Sequence, residues 1–282
     1  MQQNQKIKAM RQIIIESLQK TLALHKALGA QGEELVHKNQ FGETALRIDV
    51  ECEEVVIGCL RELDLPIRVV SEEHGIVELC NDPHFLGILD GLDGSGVYKE
   101  QRGIGRYGTM FAIFDGADPF YENYLTGGIM EHSTGKMSVF SKGGGAYVID
   151  MRSGETTPLR SSQRKKLDNQ TIIYIDEYFE INRRTFSEKL KGFHTGYLKS
   201  SAAYYADMAS GAADLTLECT RKGNLEIAVA YGLIKESGGI MADMAGEDIG
   251  SQKYLTFGQK ENLPIITACT RELNIDLLKY IK

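Results

Sequence analysis

Residues 85–95 read FLGILDGLDGS, an apolar run that gives way to two aspartates, Asp90 and Asp93, separated by Gly91 and Leu92. The run predicts a strand, and its acidic end predicts a glycine-rich turn directly after it. Aspartate and glycine also build ordinary turns, one by capping amides and the other by taking positive φ. The preceding apolar run decides between these readings, because residues 67–70 end in Ser71, Glu72, Glu73, His74 and Gly75. Two strands that both end in acids can gather three carboxylates, and acids packed together without a counter-charge repel one another. Oxygen-rich clusters of this kind suit hard divalent cations, which constrains the chain toward a metal-dependent enzyme.

Other chemistries find less support. Five cysteines, Cys52, Cys59, Cys80, Cys219 and Cys269, show neither CxxC nor Cys/His ligand spacing and read as reduced, mostly buried thiols. The histidines are few and scattered, which argues against zinc ligation or a Ser-His-Asp triad. A net charge of −7 over 282 residues argues against a nucleic-acid partner, a nuclease included, and the basic runs at 160–166 and 183–184 are too short to reverse it. The N-terminus, MQQNQKIKAM, lacks a signal-like apolar core, and no run reaches membrane-spanning length. The expectation is a cytoplasmic protein with no membrane partner.

Along the chain, Ile7, Met10, Ile14, Leu18 and Leu22 recur at helical spacing, predicting a helix over 7–28 that Gly29 ends. Residues 44–48 are expected to be extended, with Asp49 as N-cap of a helix running to about Leu63. Strands at 109–115, 124–132, 136–141 and 146–149 are joined by Gly- and Ser-rich turns, as in antiparallel hairpins. A polar stretch at 152–168 marks a boundary, giving an α+β domain over 1–155 and an α/β domain over 156–282. In the second domain strands at 171–175, 193–198, 214–218, 240–242 and 264–268 alternate with helices from Asn182, over 201–210, over 225–237 and at the C-terminus.

The helix expected at 225–237 is apolar on nearly all sides, so it should be buried between layers, with Glu226 in its first turn. An acid there favours the helix dipole, but a desolvated carboxylate also needs a partner or a metal. The ordered set SEE (71–73), DGLDGS (90–95) and NLEIAVAYGLIKESGG (224–239) resembles the inositol monophosphatase and fructose-1,6-bisphosphatase superfamily of magnesium-dependent, lithium-sensitive phosphatases, over most of the chain. The resemblance implies a layered αβαβα sandwich, α+β to α/β in class, with an antiparallel sheet in the N-terminal half and a mixed sheet in the C-terminal half.

The same resemblance implies roles. Glu72, Asp90, the Leu92 carbonyl, Asp93 and Glu226 match metal ligands, for two or three Mg²⁺ ions. Gly94 and Ser95 match the pair whose amides hold the substrate phosphate. Asp49 and Ser95 match the dyad that helps activate the attacking water, with Glu72 also catalytic. Lys38 falls near a mobile-loop lysine, Glu218 near an acid that contacts a polyol hydroxyl, and Ser201 is a further substrate contact unless it caps a helix. Three positions depart from the family pattern: Gly91 for proline, Leu225 for tryptophan and Glu226 for aspartate.

The implied activity is hydrolysis of a small phosphorylated polyol or sugar by a metal-activated water, in a homodimer. Fructose-1,6-bisphosphatase or 3′-phosphoadenosine 5′-phosphate phosphatase activity is the alternative. A catalytically silent metal-binding scaffold is the rival from another class. Arg102, Arg106, Lys199 and Arg221 are candidates for meeting a second phosphate.

Overall fold

Met10, Ile14, Leu18 and Leu22 line one buried face of α1 (Gln2–Leu28), so this long helix lays a single apolar stripe on the molecule. The computed structural model describes residues 2–282 except Asp64 and Lys222, with side chains from Lys6 onward. A two-stranded hairpin of β1 (Leu35–Lys38) and β2 (Thr44–Leu46) leads into α2 (Arg47–Arg61). The helix begins at Arg47, ahead of the expected start. Asp49 therefore sits in its first turn, where its Oδ2 accepts the Leu46 amide at 2.7 Å and satisfies a donor the helix leaves open.

Next come β3 (Ile67–Ser71), β4 (Gly75–Glu78), β5 (Phe85–Asp93), the short α3 (Ser95–Gln101), β6 (Gly108–Asp115), β7 (Tyr124–Glu131), β8 (Lys136–Ser141), β9 (Gly145–Asp150) and β10 (Thr156–Pro158). They form an eight-stranded sheet in the order β10-β9-β8-β7-β6-β5-β3-β4. Every neighbouring pair is antiparallel except β3 and β5, which run parallel. The sheet is covered on both faces, and β5 is buried along its whole length, as its unbroken apolar run requires. Its side chains alternate: Phe85 and Leu89 pack with α1 and α2, Leu86 and Ile88 with the helices of the opposite face.

The remaining elements are β11 (Ile172–Ile175), α4 (Glu180–Asn182), β12 (His194–Gly196), α5 (Ser201–Ser210), β13 (Leu215–Cys219), α6 (Leu225–Ser237), β14 (Ile240–Ala242), β15 (Pro264–Ala268) and α7 (Arg271–Ile281). Their five strands form a mixed sheet in the order β12-β11-β13-β15-β14. Two elements are shorter than expected: α4 passes at once into a π-helical turn at Arg183–Ser187, and β12 stops at Gly196, just before the chain turns at Lys199 in a left-handed conformation (φ 58°).

Helices α5 and α6 contact both sheets, and α6 is buried nearly all round, the condition its sequence predicts for an inner layer. With α1 and α2 outside the first sheet, and α4 and α7 on the second, the layers stack as αβαβα. No helix among the described residues is long and apolar enough to cross a membrane. All five cysteines are free thiols, four of them buried.

Candidate metal-centred active site

The parallel pairing of β3 with β5 brings their C-terminal ends to the same edge of the sheet, with Ser71 opposite Leu89. The Glu72 amide then donates to the Leu89 carbonyl at 3.3 Å, so the acids after β3 stand beside Asp90. The turn carrying Glu72, Glu73 and His74 is held from below by Glu53. This completely buried α2 side chain accepts the Glu72 amide at 2.9 Å and the Glu73 amide at 3.1 Å, and its other oxygen lies 2.7 Å from His74 Nδ1. The sequence shows Glu53 as one acid among several on a helix; its spacing one turn from Asp49 is the only trace of this role.

Asp90 and Asp93 lie three positions apart on one strand, and strict alternation would send them to opposite faces. A bulge removes the conflict. Asp90 pairs with Met110 and Asp93 with Gly108, so three steps on β5 match two on β6 and both carboxylates share the α6 face. The strand thus continues to Asp93, where the sequence had suggested a turn. Gly91 is required at the bulge, because a Cβ there would lie 2.1 Å from the Asp49 carbonyl oxygen. Its own carbonyl accepts Thr109 Oγ1 at 2.8 Å. A side chain at this position, the family's proline included, would meet the same α2 backbone.

Asn224, in a left-handed conformation (φ 46°), turns the chain into α6 and places Glu226 in the first turn. One oxygen from each of Asp90, Asp93 and Glu226 lies within 4.8 Å of the others, and all three residues are buried. Asp90 Oδ1 has no hydrogen-bond partner. Burial, followed by the charges of Glu72 and Glu226, pushes the Asp90 carboxyl well above its ordinary range. Burial and Glu226 raise Asp93 to about 6, against the pull of its Ser200 and Ala202 hydrogen bonds. Glu72 stands outside the tight trio, and its carboxyl is raised well above the usual range by burial first and the charge of Glu226 next. Hard oxygen donors with an unmatched lone pair fit a divalent cation, which would take the place of the protons these groups otherwise retain.

Asp49 and Ser95 meet as the family pattern implies. Ser95 Oγ is 3.1 Å from Asp49 Oδ1 and 3.0 Å from the Leu92 carbonyl oxygen. Burial lifts Asp49 to about 8 in spite of the Leu46 and Ser95 hydrogen bonds. Gly94 takes φ 85° as the residue before α3, and a Cβ would press on Ser200 and Tyr107 at 3.0 Å. Ser200 caps α5 and also donates to Asp93 Oδ2, which the Ala202 amide reaches at 2.8 Å.

In front of these groups the cleft has two compartments that share Tyr178 and Arg221. The larger, about 410 Å³, includes Phe41, Glu72, Leu225 and Glu226; the smaller, about 110 Å³, includes Asp93, Gly94, Tyr197, Lys199 and Ser201. Leu225, in the tryptophan's place, lines the larger compartment beside Glu226. Ser201 Oγ lies 3.4 Å from Glu218 Oε2, and Glu218 is buried behind the wall with Oε1 unpartnered. Lys38 ends β1 as an exposed side chain and lines neither compartment; Phe41 and Glu43 form that wall. Of the four basic candidates, Arg102 pairs with Glu33, and Arg106 is tied to Glu131 and Asp207. Lys199 and Arg221 line the cleft, Lys199 with its Nζ 3.4 Å from Glu100 Oε2 and Arg221 paired with Glu226. Tyr178 and Tyr197 carried no signal in the sequence.

A layered αβαβα sandwich with an acidic cluster where its sheets meet is the architecture of a phosphoric monoester hydrolase. The profile of the inositol monophosphatase family matches residues 3–274, and the chain belongs to that family. It is 25% identical over 233 residues, 77% of either chain, to the fructose-1,6-bisphosphatase/inositol-1-monophosphatase of Methanothermobacter thermautotrophicus. It is 26% identical over 253 residues, 89% of either chain, to the fructose-1,6-bisphosphatase of Pyrococcus furiosus. The solved structure of the extragenic suppressor protein suhB from Bartonella henselae shares the fold, with a TM-score of 0.77 at 16% identity, over 97% of this chain and 98% of that one.

Proposed function

We propose that the protein is a Mg²⁺-dependent phosphomonoesterase acting on a small phosphorylated polyol or sugar. The observation that carries this is the buried trio Asp90, Asp93 and Glu226, in which Asp90 Oδ1 has no hydrogen-bond partner. Glu72, Asp90, the Leu92 carbonyl, Asp93 and Glu226 would hold two or three ions. Mg²⁺ bound there would neutralise the phosphoryl oxygens and lower the pKa of a neighbouring water. Gly94 and Ser95 orient the phosphate through their amides, with the left-handed Gly94 allowing close approach. Asp49 accepts the proton of the attacking water through Ser95, 3.1 Å away.

Ser201 bounds the side of the cleft where the non-reacting part of the substrate lies, with Glu218 buried behind it and Lys38 outside the rim. Two cationic side chains in that cleft, Lys199 and Arg221, favour a second reading in which the substrate is a sugar bisphosphate. Family likeness extends the proposal to a lithium-sensitive, cytoplasmic homodimer, each chain divided into domains over 1–155 and 156–282. Phosphate release from a panel of polyol, sugar and nucleotide phosphomonoesters, with and without Mg²⁺ and Li⁺, tests it. Absence of Mg²⁺-dependent turnover across the panel would support the silent scaffold instead.

A further inference from the structure

Arg221 reaches into the acidic cluster. Its Nη2 pairs with Glu226 Oε1, one of the three clustered carboxylates, and lies 3.3 Å from Ser201 Oγ. Ser201 in turn is 3.4 Å from Glu218 Oε2. Glu218 is only 2% exposed, and its Oε1 has no partner. The guanidinium therefore sits one hydroxyl away from a buried carboxylate with a free oxygen. Burial opposes its charge, but Glu226, Asp93, Glu218 and Asp176 together hold Arg221 firmly protonated.

The backbone at this point is fixed while the side chain has room. Asn224 Oδ1 accepts the Arg221 amide at 2.6 Å, and the Asn224 side chain is anchored to the Phe257 carbonyl. The Arg221 side chain borders both compartments of the cleft. Lys199, the other cation there, is held at the wall of the smaller one by the Tyr204 hydroxyl, which accepts its amide and that of Leu198.

We propose that Arg221 is a resident cation sharing Glu226 with the divalent ion: it moves past Ser201 onto Glu218 when the ion takes Glu226, and there selects substrates bearing a second anionic group. The inference rests on the reading of the trio as a metal centre. The ion and the guanidinium compete for the charge of Glu226, so ion binding weakens the Arg221–Glu226 pair, and Glu218 is the unsatisfied acceptor next to it. A guanidinium has five N–H donors, so one edge can rest on Glu218 while another meets a ligand oxygen. Glu218 is then engaged and no longer free to accept a polyol hydroxyl. The cleft changes from one suited to an uncharged polyol monophosphate to one suited to a bisphosphate.

Calorimetric titration of the ion-free protein with Mg²⁺ tests the first half. Arg221→Met is expected to bind Mg²⁺ about tenfold more tightly than the parent, because the competing cation is gone. Arg221→Gln, which keeps a donor in the same place, carries the same expectation should the methionine variant misfold. Unchanged or weaker binding in a folded variant overturns the inference while leaving the metal centre standing. A parent protein that binds no Mg²⁺ overturns both. The second half is read from kcat/KM for a sugar bisphosphate relative to inositol monophosphate: the ratio is expected to fall at least about tenfold in Arg221→Met. An unaltered ratio removes Arg221 from substrate selection.

Discussion

Ser200 Oγ lies 2.5 Å from Asp93 Oδ2, joining the first turn of α5 in the second half of the chain to the end of β5 in the first. The same hydroxyl accepts the Ala203 amide as the helix cap. Ser200→Ala is expected to lower stability by about 1 kcal/mol, the usual loss for a cap, measured by urea unfolding. It should also weaken Mg²⁺ affinity, since Asp93 loses one of two hydrogen bonds that aim it.

Asp93→Asn keeps an oxygen that can accept from Ser200 and the Ala202 amide but removes a negative charge from the trio. Mg²⁺-dependent phosphate release is expected to fall by about 100-fold or more, with an unchanged circular dichroism spectrum. Full activity in this variant would remove Asp93 from the metal centre.

Glu53→Gln leaves the volume of α2 unchanged yet removes the charge that gathers the Glu72 and Glu73 amides and His74. Residues that orient ligands without touching the ion alter affinity by about 10- to 100-fold, and a loss in that range is expected in a Mg²⁺ titration. Unaltered affinity would reduce Glu53 to a packing role.

The pH dependence follows from carboxyls raised by burial. Asp49 moves from 3.8 to about 8 and Asp93 from 3.8 to about 6, so across these intervals the folded chain holds protons that the unfolded chain has released. Stability of the ion-free protein is therefore expected to be greatest at the acidic end and to fall as pH rises toward 8. Thermal melts in a chelator at pH 5.5 and pH 8 should show the lower Tm at pH 8, and Mg²⁺ should restore more at pH 8 than at pH 5.5. A chelated protein whose Tm rises over this range would contradict the assignment.

Gly91→Ala places a Cβ 2.1 Å from the Asp49 carbonyl oxygen, a backbone atom with little freedom. A loss of about 1–3 kcal/mol is expected in denaturant unfolding. Gly91→Pro, although it restores the family's residue, should lose at least as much.

The main elements were legible in the sequence because their signals are long: the helical stripe of α1, the unbroken apolar run of β5 and the all-round apolar α6 each specify how many faces are buried, while the αβαβα layering followed from the family resemblance. Asp90, Asp93 and Glu226 were legible through their order along the chain, and the structure brings them together. What was hidden depends on pairing across the chain. Nothing in the string places Glu53 beneath Glu72, for that follows from α2 crossing the β3 turn. The Arg221–Glu226 pair and the Tyr178 wall arise from loops whose paths no periodicity encodes. Asp49 was displaced from its expected cap because the Leu46 amide, not its own position, defines the helix start.

The bulge between Asp90 and Asp93 makes the site sensitive to chain length as well as to residue identity. Loops elsewhere can gain or lose residues and remain loops. Deleting a single residue between these aspartates would restore the even count of an unbroken ladder, but only by giving up the Gly91 carbonyl that Thr109 holds and the close seat against α2. A change of length in this segment therefore acts directly on the pairing that sets both carboxylates on one face.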